Sequence, residues 1–200
     1  MSKMFYINSD ISKAETLPAS FYRDKEVFEN IKEKIFLKTW QWIGDKNLVK
    51  LPQSIYPLVL LDNYLTEPLV IVRNEKDEIN CFTNVCTHRG NLVALHPGKV
   101  KKLTCMYHGR RFSLDGAFEH MPEFEDADDF PRPCDHLHKF PLEKWGPLLF
   151  VGLNPDFQFS KVIETMKERI GFLPLDEFSL DTSTSKDFLV HAHWALYCDN

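Results

Sequence analysis

Apolar residues fall at helical spacing just after Asp24. Val27, Phe28, Ile31, Ile35 and Phe36 share one face and Asp24 stands where a cap belongs, so the pattern predicts a helix over 24–40. Trp40 and Trp42 then lead into a turn at Gly44-Asp45. From Leu48 to about Leu153 the periodicity changes to short strands, at 56–62, 68–73, 78–83, 102–105, 110–114, 117–120 and 148–153. Asn74-Glu75-Lys76-Asp77, Pro97-Gly98 and Asp115-Gly116 punctuate them, and Asp-Gly between short apolar segments signals a hairpin. Many short strands at close spacing predict a small antiparallel sandwich or barrel, mainly β in class. Residues 155–171 return to helical spacing, with Ser160 as cap, Val162, Ile163, Met166 and Ile170 as the apolar stripe and Gly171 as the stop. Residues 186–198 read as a strand, and no internal repeat is found.

Composition bounds what this framework can do. A chain of 200 residues buries roughly two thirds of its unfolded surface and needs no disulfide staple. The 16 Phe, 4 Trp and 6 Tyr argue against disorder over most of the length. A net charge of −5 gives no sign of the basic face that nucleic-acid binding needs. The longest apolar runs, Leu58–Leu61 and Leu69–Val72, are strand-length and too short to span a bilayer. Met1–Lys13 lacks the apolar core of a secretory signal, so no membrane and a cytoplasmic location are expected. In that reducing compartment an odd set of five cysteines, some beside histidines, points to metal before disulfide.

Two clusters carry the chemistry: Cys86-Thr87-His88-Arg89-Gly90 and Cys105-Met106-Tyr107-His108-Gly109. Each can fold as a loop tip presenting one thiolate and one imidazole. Two facing loops then supply two sulfur and two nitrogen donors. That set suits a tetrahedral zinc site or a Rieske [2Fe–2S] centre, in which two histidines replace two cysteines on one iron. Zinc fingers pair like with like, cysteines in one knuckle and histidines on a helix. Here each loop is mixed, which fits a dinuclear cluster with Cys86 and Cys105 on one iron and His88 and His108 on the other. Gly90 and Gly109 would let backbone N–H groups approach bridging sulfides. Neutral imidazoles raise the potential of such centres to about −150 to +300 mV, against about −400 mV for plant-type ferredoxins.

With these motifs in place the chain resembles the Rieske non-haem iron oxygenases, in the N-terminal part of their alpha subunit. Ile35–Asp45 looks like the family's opening helix and turn. Pro68–Arg73 looks like the strand before the first cluster loop, Leu114-Asp115-Gly116 like the hairpin after the second, and Trp145–Val151 like the closing strand. The respiratory Rieske class carries an extra cysteine in each loop. Asn91 and Tyr107 stand in those places here, so the oxygenase type fits better. The family usually has Trp after the second His-Gly, at a position that packs over the cluster region; this chain has Arg110.

The resemblance implies three parts: an N-terminal helical segment over 1–45, a Rieske domain over 46–154, and the first elements of an α+β catalytic domain over 155–200. It implies electron relay from a reductase or ferredoxin to a mononuclear Fe(II), expected only in a full-length protein, and a homo-oligomer, a trimer in the family. That iron needs two histidines and one carboxylate. His193–Asn200 resembles the segment that leads into the family's catalytic helix, and the triad does not follow within these 200 residues. The chain alone is therefore expected to hold the cluster without oxidising substrate. Turnover with reductase, NADH and O2 would contradict this. The alternatives are a stand-alone Rieske-type ferredoxin, disfavoured by the extra length at both ends, and a structural zinc module.

Other candidates rank below the cluster residues. His191 and His193 would share one face of a strand, but an ordinary strand is preferred to a metal pair. His136 and His138 read as loop or edge strand, and His96 and His120 as surface or packing. Cys81 reads as a small buried hydrophobe, while Cys134 and Cys198 have no evident partner. The acidic run Glu123–Asp129 reads as a solvated loop. Arg89 and Arg111 are placed either to stabilise charge added on reduction or, equally, to form surface salt bridges, and Tyr107 to hydrogen-bond a sulfur.

Overall fold

The computed structural model describes residues 5–124, 126–181 and 183–198. The chain divides into two compact units, residues 1–37 with 179–200, and residues 38–178.

In the first unit, helices α1 (Ala19–Arg23) and α2 (Lys25–Lys34) follow one another, and the Asp24 carboxylate caps α2 by accepting the Glu26 N–H at 2.9 Å. Val27 and Ile31 are its buried residues. The helix expected to reach residue 40 stops at Lys34: Ile35 departs from helical geometry with φ −118° and ψ −67°, and a short 3-10 turn follows over Phe36–Lys38. The strand expected over 186–198 is not formed, and residues Trp194–Tyr197 make a 3-10 turn instead. A strand needs a neighbour to take its N–H and C=O groups, and this segment pairs with none among the described residues. His193 caps that turn, its Nδ1 accepting the Ala195 N–H at 3.2 Å, while its ring lies among Phe21, Tyr22 and Phe28.

The second unit carries the strands: β1 (Trp40–Asp45), β2 (Ser54–Leu60), β3 (Glu67–Arg73), β4 (Ile79–Thr83), β5 (Gly98–Lys99), β6 (Leu103–Thr104), β7 (Arg111–Phe112), β8 (Phe118–His120), β9 (Lys139–Phe140), β10 (Leu142–Trp145) and β11 (Leu148–Gly152). They form three antiparallel sheets, in the orders β1-β11-β10, β5-β2-β3-β4-β9 and β6-β7-β8. The expected mainly β, antiparallel architecture is the one observed. Gly44-Asp45, expected as a turn, lie in β1 together with Trp40 and Trp42; the register shift between Trp42 and Gly44 marks a bulge there. Helix α3 (Phe159–Ile170) is shorter than the expected span from residue 155, yet it begins before the expected cap Ser160, with Gln158 at the cap position.

β3 organises the unit because both its faces are covered. Val70 and Val72 face a core shared with Phe82, Phe112, Cys86 and Cys105, whereas Leu69 and Ile71 face two further clusters with Val151 and Leu149 of β11. Successive side chains point to opposite faces, so a strand buried on both reads as the unbroken apolar run Leu69–Val72. The hairpin between β7 and β8 is seated on the same core. Gly116 there has φ +79°, and a Cβ would lie 2.5 Å from Phe82 Cε1. Gly116→Ala is expected to cost about 1–3 kcal/mol from backbone conformation alone, read as a lower urea midpoint.

Candidate metal centre

The two sequence clusters become two loops of the same main-chain design. In the first, between β4 and β5, the Cys86 N–H donates to Asn91 O at 2.8 Å and the Gly90 N–H to Cys86 O at 3.0 Å. In the second, between β6 and β7, the Cys105 N–H donates to Arg110 O at 2.8 Å and the Gly109 N–H to Cys105 O at 3.0 Å. Each loop is closed below by a paired couple, Val85 with Leu92 and Thr104 with Arg111. Gly90 and Gly109 sit at matching places with φ +71° and +74°, a conformation that suits glycine. Asn84 anchors the first loop from within the core, exchanging side-chain hydrogen bonds of 2.8 and 2.7 Å with the Ala94 backbone.

This design separates the donors by type. Cys86 and Cys105 are both 2% exposed, inside the core. His88 and His108 are only partly buried, and their rings stand 4.7 Å apart at 67°. The thiols thus form an inner pair and the imidazoles an outer one. Among the described residues, no three His, Cys, Asp or Glu side chains converge on a point that would hold a single ion.

The electrostatics favour ligation at Cys105 and His88 and oppose it at Cys86. Burial pushes the Cys105 thiol up, but the Tyr107 N–H, the Cys86 side chain, the Asn91 amide at 3.7 Å and the His108 N–H outweigh it and hold the thiol below its ordinary value. Burial keeps the Cys86 thiol above its ordinary value, against the His88 N–H and the Arg110 charge. Burial lowers the His88 imidazole, and the charges of His108, Arg89 and Arg110 lower it further, which favours the neutral form a metal needs. Two thiols and two imidazoles in separate pairs, with N–H donors turned onto sulfur, match the donor set of a [2Fe–2S] cluster with mixed ligation.

The Rieske [2Fe-2S] domain family matches residues 39–141. The chain belongs to that family. The Rieske domain's relatives include the carnitine monooxygenase oxygenase subunit of Escherichia coli (strain K12), 31% identical over 150 residues, covering 72% of this chain and 38% of that protein. The chloroplastic choline monooxygenase of Amaranthus tricolor is 28% identical over 193 residues, covering 92% of this chain and 42% of that protein. Among solved structures, the quaternary ammonium Rieske monooxygenase CntA with L-carnitine superimposes with a TM-score of 0.71 at 24% identity, over 84% of this chain and 48% of that one. Naphthalene 1,2-dioxygenase with indole gives a TM-score of 0.61 at 21% identity, over 70% of this chain and 31% of that one. This chain is thus a homologue of oxygenase subunits and spans less than half the length of those it matches. Rieske domains bind a [2Fe–2S] cluster.

Around the Rieske loops the structure rearranges the other sequence candidates. Arg89 and Arg111 are exposed. The cation inside is Arg110, 3% exposed and paired with buried Asp135 at 2.6 Å. Nothing in the sequence around Asp135 marks it. Its Oδ2 accepts the Arg132 N–H at 2.8 Å, and its carbonyl oxygen accepts the Thr87 hydroxyl at 2.9 Å, so it touches both loops. Burial pushes its carboxyl up, but the Arg132 N–H and the Arg110 guanidinium outweigh this and hold it below the usual carboxylate range. Tyr107 meets the Cys105 sulfur through its main-chain N–H, while its ring lies 3.8 Å from that of His108.

His136 accepts the Phe118 N–H at 2.8 Å through Nδ1. Cys81 is fully buried, and burial pushes its thiol up to about 12, as befits a small hydrophobe. Cys134 and Cys198 are exposed, and all five thiols are free. The described residues of the acidic run are exposed, and the Phe124 ring stands 6.2 Å from that of His88.

Proposed function

We propose that Cys86 and Cys105 bind one iron of the [2Fe–2S] cluster, that His88 and His108 bind the other, and that residues 46–154 serve as the electron-relay domain of an oxygenase subunit. The observation that carries this is the division of the donors into a buried thiol pair and an outward imidazole pair within two loops of one design. When bound, the cluster supplies one-electron transfer at a potential raised by imidazole ligation.

The chain's own residues prepare this role. The buried cysteines keep water from the sulfur side, and the main-chain N–H groups of His88, Tyr107 and His108 face sulfur. His88 and His108 present ring edges outward, beside the exposed side chains of Met106 and Tyr107. These edges are where a redox partner comes close enough to exchange an electron. A reductase or ferredoxin is the donor and a mononuclear Fe(II) centre the acceptor. Residues 155–200 are the opening of the catalytic domain that holds that iron, in a homo-oligomer of the family's trimeric kind. The relatives' names point the whole protein toward monooxygenation of a quaternary ammonium compound. No helix among the described residues is long and apolar enough to cross a membrane, and the cytoplasm is the compartment this reading assigns.

Anaerobic reconstitution of the chain with iron and sulfide tests the ligand set. The expected product holds iron and inorganic sulfide in equal amounts, with the visible and electron paramagnetic resonance spectra of mixed histidine–cysteine ligation. Stoichiometric zinc without sulfide, taken up in preference, would overturn it.

A further inference from the structure

We propose that Arg110, oriented by Asp135, is a positioning residue that raises the reduction potential of the centre by fixing a buried positive charge beside the Cys86 loop. The inference rests on the ligand set proposed above and adds a residue that binds neither iron.

The loop design supplies the first argument. Arg110 follows Cys105 at the same distance as Asn91 follows Cys86, and each accepts its cysteine's N–H through its carbonyl oxygen. The Asn91 side chain crosses to the opposite loop and donates to Cys105 Sγ at 3.7 Å. Arg110 occupies the matching place in the second loop; its guanidinium bonds Asp135 at 2.6 Å, and the Asp135 carbonyl oxygen accepts the Thr87 hydroxyl of the first loop at 2.9 Å, so its charge is held beside that loop and lowers both the Cys86 thiol and the His88 imidazole. One loop therefore reaches the other with an amide, and the other loop reaches back with a cation tied through Asp135.

The surroundings keep that charge effective. The guanidinium carbon lies 4.9 Å from the Phe118 ring centre, 5.5 Å from Phe130 and 5.9 Å from Phe112. The Nε–H is buried with no hydrogen-bond partner among the described residues. A guanidinium does not lose its proton in a protein, and a ring-walled, water-poor site screens it weakly. The counter-charge is shared: Asp135 gives one oxygen to Arg110 and the other to the N–H of Arg132, whose Nε is 3.6 Å away. Of the two charges, it is that of Arg110 that lowers the Cys86 thiol and the His88 imidazole.

Reduction adds one electron, delivered by a one-electron donor, with no bond made or broken. A fixed cation nearby favours the state carrying the added negative charge. The potential is therefore higher with Arg110 than without it, and higher still if Asp135 loses its charge.

The test is a mediated redox titration of the reconstituted chain, followed by visible circular dichroism. At the wild-type midpoint, Arg110→Met is expected to raise the oxidised-to-reduced ratio about tenfold, a fall of about 59 mV for a one-electron couple. Arg110→Lys keeps the charge and should stay within about threefold of wild type. Asp135→Asn should move the ratio the opposite way, toward the reduced form. A role confined to packing predicts no such opposition of sign. An unmoved midpoint in a loaded Arg110→Met chain, or a fall in Asp135→Asn, overturns the inference. Should Arg110→Met fail to load, the sign of the Asp135→Asn shift decides alone. A wild-type chain that takes up no iron and sulfide overturns the ligand set itself, a result separate from a loaded chain with unmoved potentials.

Discussion

Replacement of Cys105 by Ser is expected to abolish loading of the centre while leaving the fold standing. The main chain of Cys105 is fixed independently of its sulfur, by the bond from its N–H to Arg110 O and the bond its carbonyl oxygen accepts from Gly109. A serine side chain occupies the same place with little change in volume, so far-ultraviolet circular dichroism should match wild type. Its function is lost because iron–sulfur clusters are held by soft thiolate, and a serine hydroxyl does not ionise under the conditions that ionise a thiol. The N–H groups of Tyr107 and His108 and the Asn91 amide, which favour an anion at Cys105, then face a neutral group. Iron per chain should fall to near zero. Cys134→Ser, at an exposed position, is the control and should load normally.

The second large effect is mechanical. Phe112 is fully buried in β7, opposite Leu103 and Phe118, and packs in the core that also contains Phe82, Leu114 and both cluster cysteines. Phe112→Ala opens a cavity beneath both loops and removes one of the rings around Arg110. Such truncations cost about 3–5 kcal/mol. Against a typical total of about 5–15 kcal/mol, that is a large share, and the urea midpoint of the metal-free chain should fall accordingly. Val59→Ala, on the exposed side of β2, should leave the midpoint nearly unchanged.

The parts legible in the sequence are those set by local chemistry. The Asp24 cap, the strands at β2, β3 and β4 and the Asp115-Gly116 hairpin each announce themselves within a few residues. The two cluster motifs do so as well, because soft and imidazole donors at this spacing have few other uses. What stayed hidden depends on partners far along the chain. β1 reads as a turn because Gly44-Asp45 is a turn signal, yet the pairing with β11, more than a hundred residues away, makes it a strand with a bulge. β10 carries Glu143 and Lys144 on an edge and shows little apolar alternation. Residues 186–198 fail in the opposite sense, with a suitable pattern and no neighbour to pair with.

Arg110 is the most instructive case. Its sequence context marks only a departure from the family's usual Trp. That it is buried and charged becomes visible only when Asp135, 25 residues later, arrives beside it and reaches back to Thr87 as well.

Asp135 also sets how the molecule meets acid. Its folded-state carboxyl lies below its unfolded value. The stability it contributes is therefore complete above the ordinary carboxylate range and is lost as pH falls through the folded value. A proton there leaves Arg110 as a buried cation without a counter-ion and weakens the tie through which the second loop holds the first. Acid thus reaches the centre by way of a residue outside the proposed ligand set. The join between the two halves of the cluster's cradle is therefore an acid-labile one.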